Sequence, residues 1–225
     1  MIFTEKYYGI KLHYIPDTYD LAIIREQKGY ADLFNNMEGK TLFELGGNKG
    51  YTSAYALTRG IKKIVSFEPE PQNIEYYKAN AVATGADVTL YEGMADTKNG
   101  TAPFYLNMGI NKGLHSRVKR RGREEITVNT YDWWSILEES RAELLKIDIE
   151  GGEYFLDLET RKIPDFVQRI AIEIDWSQWG DAKYPYDGKP YAIYKTIKEQ
   201  FPNILKDTSR NWTQHNWSIM FIGER

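Results

Sequence analysis

The chain has 225 residues, of which 42% are hydrophobic and 27% are charged, a composition typical of a globular protein with one sizeable core. Its formal net charge of −3 argues against a general nucleic-acid binder, and the absence of cysteine excludes disulfides, thiolate metal sites and thiol nucleophiles. The sequence contains neither a long apolar run typical of a transmembrane helix nor the pattern of a signal peptide, so we expect a cytoplasmic protein without a membrane partner.

Apolar periodicity predicts strands and helices along most of the chain. Residues 7–24 are interpreted as a β-hairpin or an irregular extension, and residues 24–37 as a helix that covers one edge of a sheet. The strands predicted after them are residues 41–45, 63–67, 87–91, 102–107, 125–129, 144–149, 169–174, 205–208 and 217–222. The predicted helices are residues 51–59, 72–84, 131–140, 153–161 and 191–201. Residues 109–113 are interpreted as a turn, and residues 176–190 as a polar, aromatic insert.

Strands that alternate with helices predict an α/β fold, a Rossmann-like, doubly wound and mainly parallel sheet of seven strands. The last strand follows a turn and not a helix, so we expect it to run antiparallel. One domain is predicted over residues 1–225, with residues 1–38 as an N-terminal extension and residues 39–225 as the Rossmann-like core.

A glycine-rich turn follows the strand at residues 41–45, and an acid, Glu44, stands just before it. The next strand ends in a second acid, Glu68, and this layout is typical of a nucleoside-binding βαβ unit. The dinucleotide spacing is absent because the third position, counted from Gly46, is Asn48 and not glycine; Lys49 precedes Gly50, so the P-loop order is absent too. A carboxylate beside the turn would also repel a pyrophosphate, which normally binds at the following helix N-terminus.

S-adenosylmethionine carries an ammonium and a sulfonium but no phosphate, so an acid beside the turn favours this nucleoside. Glu68 is expected to accept the ribose hydroxyls. After the third strand, Gly93 permits a close backbone approach, and Met94 or Ala95 is expected to flank an adenine. The alternative for Glu44, a surface acid on an ordinary βα turn, is disfavoured because the two glycines and the second acid stand in register with it.

Acids recur at the carboxyl ends of the predicted strands, where open α/β sheets bind their ligands. These acids are Glu44, Glu68, Asp148, Glu150, Glu173 and Asp175. The alternative for Glu173 is a strand with one solvated face. That alternative explains Asp148 and Glu150 poorly, because they stand where a central strand meets a Gly-Gly turn.

Three blocks resemble the FkbM family of S-adenosylmethionine-dependent methyltransferases. Residues 43–52 (FELGGNKGYT) resemble its first cofactor motif, residues 65–73 (VSFEPEPQN) its ribose-binding block, and residues 145–151 (LKIDIEG) its most distinctive signature. The resemblance covers roughly residues 39–174 and departs at Glu44, where the family usually has Asp. With the turn argument, it predicts a site for S-adenosylmethionine formed by Glu44, Gly46, Asn48, Gly50, Glu68, Pro69, Gly93, Met94, Ala95 and Asp148.

The resemblance implies methyl transfer to oxygen, often on a sugar or natural-product hydroxyl, so the expected acceptor is a small molecule or a glycan. An alcohol acceptor needs a general base. The candidate bases are Asp148, Glu150, Glu173, His115 and His215. For His215, which lies between Trp212 and Trp217, aromatic packing or simple exposure is an equal alternative.

Carboxylates at the strand ends also suit Mg²⁺, which would acidify a bound hydroxyl. The predicted ligands are Asp148 with Glu173 or Asp175. Lys146 is expected to pair with an acid and to point away from the cofactor.

Two other functions remain open. A nucleic-acid methyltransferase would use the basic residues 117–123 and the aromatic side chains, but the acidic net charge and the absence of an Asn-Pro-Pro-Tyr motif argue against it. The second is a methyltransferase-like fold that binds without catalysis. The basic segment itself is either a patch for an anionic acceptor or a solvated loop.

Overall fold

A computed structural model describes residues 3–7, 9–16, 18–109, 114–119, 121–175, 188–209 and 218–225. His215, its neighbours Trp212 and Trp217, residues 110–113 of the predicted turn and residues 176–187 of the predicted insert lie outside the described residues. Within the described ranges, no helix is both long and apolar enough to cross a membrane.

The secondary structure follows the predicted alternation closely. The strands are β1 (Phe3–Tyr7), β2 (Ile10–Tyr14), β3 (Thr41–Leu45), β4 (Lys63–Glu68), β5 (Asp87–Glu92), β6 (Met94–Asp96), β7 (Gly100–Leu106), β8 (Glu124–Asp132), β9 (Leu144–Ile147), β10 (Arg169–Asp175), β11 (Asn203–Asp207) and β12 (Ser218–Glu224). The helices are α1 (Asp20–Glu26), α2 (Ala31–Phe34), α3 (Tyr51–Thr58), α4 (Pro71–Thr84), α5 (Trp133–Ser140) and α6 (Gly188–Gln200). Two short 3₁₀ helices span Gln27–Tyr30 and Gly152–Phe155.

Seven strands form the central sheet in the order β11-β12-β10-β9-β3-β4-β5. The pairs from β10 through β5 are parallel, and β12 lies antiparallel between β10 and β11. The predicted fold class, including the antiparallel last strand, is confirmed. The carboxyl ends of β3, β4, β9 and β10 meet at one edge, where an open α/β sheet places its ligands.

The strands predicted at residues 102–107 and 125–129 form a separate sheet. Strand β8 pairs antiparallel with β7 and parallel with β6, which follows β5 after the single residue Gly93. A Cβ atom at Gly93 would lie 2.5 Å from the carbonyl oxygen of Asn129 in β8. Glycine is therefore needed here for the close approach of the second sheet.

The predicted helix at residues 24–37 is wrong in its continuity and in its position. Gln27–Tyr30 forms a 3₁₀ turn between α1 and α2. Leu33 and Phe34 are buried in a core cluster with Leu42, Ala171 and other residues of the central sheet. This segment therefore covers one face of the sheet and not its edge, and Ala171 shows that this face of β10 is not solvated.

The helix predicted at residues 153–161 is also wrong. Only Gly152–Phe155 is helical, as a 3₁₀ turn, and Asp157 adopts a positive φ of 56°. Leu156 and Leu158 are both fully buried in the main core. Residues two apart lie on different faces of an α-helix, so burying both leucines favours the irregular path that is observed.

The N-terminal extension begins with a hairpin of β1 and β2, which lies earlier in the chain than the one predicted at residues 7–24 and packs against α4. Asn80 of α4 accepts from the His13 amide at 2.6 Å and donates to the Lys49 carbonyl at 2.7 Å. The Lys49 ammonium and the Asp20 carboxylate form a fully buried ion pair at 2.9 Å. These bonds join the extension directly to the glycine turn after β3.

Candidate active site

A cavity of about 610 Å³ opens at the carboxyl ends of the central strands. One side, the strand-end wall, consists of residues 46–48, 68–69, 146, 148–150 and 173. The opposing N-terminal wall consists of Ile23, Glu26, Gln27, Gly29 and Tyr30. The lining also includes Met94, Ala95, Asn73 and residues 114, 115 and 117.

The glycine turn is shaped by its contact with the end of β9. Gly46 has a φ of +86°, and a Cβ atom there would lie 1.9 Å from the Asp148 carbonyl oxygen. The Lys146 ammonium donates to the Gly46 carbonyl at 2.9 Å. Only glycine allows this approach, which brings Asn48 and Asp148 into one cavity.

Glu68 is buried at the end of β4 and accepts several hydrogen bonds from the protein. Its Oε2 accepts from the Asn48 amide at 2.7 Å, and its Oε1 accepts from the Glu70 amide at 2.9 Å and the Asn73 side chain at 3.3 Å. Burial raises the pKa of Glu68 to about 7, and these hydrogen bonds offset part of the effect.

The side chain of Asn73 indicates whether the cavity fits an adenosine. Its Nδ2 donates to Glu68, and its Oδ1 is a buried acceptor without a partner among the described residues. Met94 and Ala95 add apolar surface to the same cavity. A carboxylate, an unmatched acceptor and an apolar face suit a ligand with hydroxyl donors and a flat ring, so the predicted residues on this side fit an adenosine.

Glu44 does not line the cavity. Its side chain is fully buried and accepts from the Ser53 and Ser66 hydroxyls at 2.6 and 2.9 Å. Glu44 contacts the cavity lining through Lys146, whose ammonium lies 3.7 Å from Glu44 Oε1. The sequence predicts Glu44 as a cofactor-binding residue. In the structure it contacts Lys146 of the cavity lining and does not itself line the cavity.

Two predicted glycines also lie outside the cavity lining. Gly50 has a φ of +77° and precedes the first turn of α3, and Gly93 packs against β8. Gly46, Asn48, Pro69, Met94 and Ala95 of the predicted cofactor residues line the cavity together with Glu68 and Asp148.

Asp148 is held by two donors from different parts of the chain. Its Oδ2 accepts from the Tyr30 hydroxyl at 2.9 Å and lies 3.4 Å from the Lys146 ammonium. Burial and the charge of Asp148 raise the pKa of Tyr30 well above its ordinary value, so the phenol stays a donor. Burial lowers the pKa of Lys146, but the charges of Asp148 and Glu44 outweigh it and the net pKa is raised. Lys146 does pair with acids, but it lines the cavity instead of pointing away from it.

Two further acids, Glu150 and Glu173, line the cavity together with Asp148. Burial and the charge of Asp148 raise the pKa of Glu173 to about 7, although a hydrogen bond from the Ser218 hydroxyl lowers it. Burial and the charges of Asp148 and Asp175 raise the pKa of Glu150 well above its ordinary value. The predicted histidine His115 lines the cavity too, and its Nδ1 accepts from the Asn107 amide at 2.9 Å.

The predicted Mg²⁺ site at Asp148, Glu173 and Asp175 is not supported. Across the described ranges, no group of three or more acidic or histidine side chains is placed to hold a metal ion. Asp175 does not line the cavity; its amide donates to Glu153 and its carbonyl accepts from Tyr154. The Lys146 ammonium beside Asp148 would also repel a divalent cation.

Sequence reasoning missed several cavity residues. Asn73 is the last residue of the block at residues 65–73, and its place in that block could have predicted it as a ligand-binding residue. Tyr30 and Gln27 carry no such signal, because their partners Asp148 and Thr52 lie far along the chain. Arg117 lines the cavity too, but its sequence signal is only that of a basic segment.

Comparisons with known proteins agree with this geometry. The model of the family described as Methyltransferase FkbM domain matches residues 44–205, more than half of the chain. No protein of curated function matches the sequence.

Solved structures share the fold at low identity. A Streptococcus mutans protein described as an S-adenosylmethionine-dependent methyltransferase is 10% identical, with a TM-score of 0.50 over 100% of this chain and 55% of its own. SMU.776, described as a methyltransferase complexed with SAH, is 10% identical at a TM-score of 0.50, over 100% of this chain and 56% of its own. The C-terminal domain of precorrin-6Y C5,15-methyltransferase from Rhodobacter capsulatus is 12% identical at a TM-score of 0.50, over 94% and 93%.

The chain thus spans about 55% of the length of the first two structures, and these likenesses bear on the fold alone. The match of the family model extends over the glycine turn, the Glu68 block and the strand end at Asp148. The chain belongs to the FkbM family of S-adenosylmethionine-dependent methyltransferases.

Proposed function

We propose that the cavity binds S-adenosylmethionine and that the chain transfers its methyl group to a hydroxyl of a sugar or another small molecule. The observation that carries this proposal is that one cavity joins an adenosine-type end, with Glu68, Asn73 and Met94, to an acidic end, with Asp148 and Glu173. The structure of SMU.776 with bound SAH is consistent with a nucleoside in this fold.

The adenosine end contributes binding and orientation. Glu68 accepts from a ribose hydroxyl, Asn73 Oδ1 accepts from a second ligand donor, and Met94 and Ala95 pack on the adenine. When bound, the cofactor supplies an already activated methyl group. Alignment of the acceptor oxygen with that group is then the main task of the protein, and such positioning is worth roughly 7–11 kcal/mol of a reaction barrier.

The acidic end handles the acceptor hydroxyl. Tyr30 and Lys146 hold one carboxylate oxygen of Asp148, which leaves its other oxygen to orient the acceptor hydroxyl. Glu173, with a pKa of about 7, suits a general base at neutral pH, since a base works best when its pKa is near the operating pH. Glu150 and His115 line the same end and are the alternative bases.

Cofactor binding and base catalysis are tested separately. Calorimetry with SAH should show binding that Glu68→Ala abolishes, and absence of binding by the unaltered protein would contradict the proposed site. Transfer of isotope-labelled methyl from S-adenosylmethionine should then be assayed on a panel of sugars and natural-product alcohols. Transfer to nitrogen or carbon acceptors alone would refute the oxygen specificity.

Glu173→Gln is expected to retain SAH affinity and to lose about 10²-fold or more in turnover, the usual contribution of a general base. Turnover of the unaltered protein should rise as the pH increases through about 7, because the base must be ionised. If Glu173→Gln keeps this pH dependence, the base lies elsewhere.

We further propose that residues 1–225 act as one domain, since the Asp20–Lys49 pair ties the extension to the glycine turn.

A further inference from the structure

A short segment before the basic residues is fixed over the acidic end of the cavity. Ser116 exchanges backbone hydrogen bonds with Tyr105 of β7 at 2.8 and 3.1 Å. Its hydroxyl donates to the Glu150 carbonyl at 2.5 Å, just after β9. The next residue, Arg117, therefore reaches the cavity from a backbone that is tied both to the second sheet and to the strand-end wall.

The guanidinium of Arg117 is held in one orientation by two contacts. Its Nη2 lies 2.9 Å from Asp96 Oδ2 at the end of β6, and its Cζ lies 4.2 Å from the centre of the Phe155 ring. Asp96 is buried, so the ion pair is partly shielded from water. This support fixes the guanidinium without using all of its donors.

Among the described residues, one donor nitrogen of this group has no partner. Nη1 of Arg117 is buried and makes no hydrogen bond within the described part of the chain. Arginine stays charged at every physiological pH, so it cannot relieve the cost of an unmatched donor by losing a proton. The group that would match it best is an oxyanion, because a guanidinium forms its strongest hydrogen bonds with carboxylate and phosphate oxygens.

The charges around Arg117 also suit an anion. Residues 117–123 include five lysine or arginine residues, and Arg117 carries the positive charge of this segment into the cavity lining. Burial and neighbouring acids raise the pKa of Glu150 and of Glu173, so the acidic end carries less negative charge at neutral pH than its sequence implies.

We propose that Arg117 binds an oxyanion of the acceptor, so that the substrate is a hydroxyl compound that also carries a carboxylate or a phosphate. The inference rests on the proposed function and specifies its acceptor class. Arg117 then anchors the charged group, while Asp148 and Glu173 address the hydroxyl to be methylated.

Inorganic phosphate is the probe that tests this site directly. Protein saturated with SAH is titrated with phosphate at low ionic strength, and binding is followed by calorimetry. Arg117→Gln should weaken phosphate binding about tenfold or more, as expected for the loss of a charge-assisted hydrogen bond. Arg117→Lys keeps a partner for Asp96 but loses the planar donor fork, so it should also bind phosphate more weakly.

Lys119→Gln is the matched control, because Lys119 is an exposed cation of the same segment that pairs with Glu125 at 3.4 Å. It removes the same charge and should change phosphate affinity by no more than about twofold, the size of a screened surface effect. No phosphate binding at millimolar concentrations, or an equal loss in Lys119→Gln and Arg117→Gln, would overturn the proposal.

SAH affinity separates this inference from the proposed function. Both variants should bind SAH as the unaltered protein does. If Arg117→Gln weakens SAH binding to the same extent as phosphate binding, Arg117 serves the carboxylate of the cofactor and the acceptor inference is wrong. If the unaltered protein fails to bind SAH, the proposed function itself fails.

Discussion

The strand-end wall and the N-terminal wall face the same cavity but are held in place differently. In the strand-end wall, backbone meets backbone: Gly46 lies against the Asp148 carbonyl, and the turn follows directly from the parallel strands. The N-terminal wall is attached by side chains, with Gln27 accepting from the Thr52 hydroxyl at 2.7 Å and Tyr30 donating to Asp148 at 2.9 Å.

This difference separates what the family shares from what the chain adds. The family model begins at residue 44, so the strand-end wall falls within its match and the N-terminal wall falls outside it. We therefore expect changes in the glycine turn and the Glu68 end of the strand-end wall to affect cofactor binding first. Changes in the N-terminal wall should affect stability and acceptor use first. Three substitutions, each paired with a second variant, test that division, and a fourth tests the pH dependence of stability.

The largest effect is expected where the two walls are joined. Lys49→Met removes one member of a fully buried ion pair and leaves the Asp20 charge without its cation. Breaking such a pair typically costs about 3–5 kcal/mol, which urea unfolding would measure as a loss of unfolding free energy. The double variant Asp20→Asn with Lys49→Met should recover much of that loss. A cost below about 1 kcal/mol for Lys49→Met would show that the pair does not join the walls.

Within the strand-end wall, Gly46→Ala should weaken SAH binding by more than about tenfold. The new Cβ atom would lie 1.9 Å from the Asp148 carbonyl, so the turn must move away from β9. Gly85→Ala is the matched control, since Gly85 also has a positive φ of 69° but open space around its Cα. That control should cost about 1 kcal/mol of stability from backbone strain and leave SAH affinity unchanged. Equal effects of the two variants would mean that strain, and not the close approach, explains Gly46.

Within the N-terminal wall, Tyr30→Phe should lower the unfolding free energy by about 1–2 kcal/mol, because Asp148 loses a buried hydrogen-bond donor. SAH affinity should change little, and acceptor turnover should fall. Tyr19→Phe, at a half-exposed position in the same segment, serves as the control and should be neutral. A strong loss of SAH affinity in Tyr30→Phe would contradict the division between the walls.

The last prediction concerns the pH dependence of stability, an effect that is small over any single pH unit. Glu153 is fully buried and accepts from the Gly151 and Asp175 amides, and burial raises its pKa to about 8. The ordinary pKa of glutamate is about 4.3, so the folded state binds more protons than the unfolded state between these values. Stability should therefore decrease as the pH rises from about 4.3 to 8.

Glu153→Gln removes the contribution of this group to the pH dependence. Its stability curve should be flatter than that of the unaltered protein by at most about 1.4 kcal/mol per pH unit, most clearly between about pH 5.5 and 7, where the group is ionised in the unfolded state and protonated in the folded state. Parallel curves for the two proteins, measured by chemical unfolding across this range, would show that Glu153 does not titrate there.

The central sheet could be predicted from the sequence because its signals are local. Apolar strands, Gly85 after α4 and the turn after β3 each lie within a few residues of the structure they specify. The strand-end acids could be predicted to share one edge, since the carboxyl ends of parallel strands meet there. Asp148 and Glu173 do line one cavity.

Other features depend on contacts that no local pattern encodes. Glu44 and Asp148 stand at neighbouring strand ends, yet Ser53 and Ser66 draw the Glu44 carboxylate inward while Asp148 faces the cavity. The 153–161 segment has helical composition, but burial of both Leu156 and Leu158 overrides it. Tyr30 and Gly29 of the N-terminal wall depend on partners more than 100 residues away, so the place of this wall over the cavity is not predictable from local sequence.

The long sequence separations in the N-terminal wall also affect how the protein is made. Tyr30 needs Asp148, 118 residues later, and the Gly29 carbonyl accepts from Lys206, 177 residues later. During synthesis on the ribosome, residues 23–30 emerge early; Gln27 can pair with Thr52 soon afterwards, but Tyr30 and Gly29 lack their partners until β9 and then β11 have been translated. Contacts of such separation form slowly because a long loop must close first. The cavity is therefore completed only after nearly the whole chain has left the ribosome. Until then the nascent N-terminal segment lacks its contacts with Asp148 and Lys206.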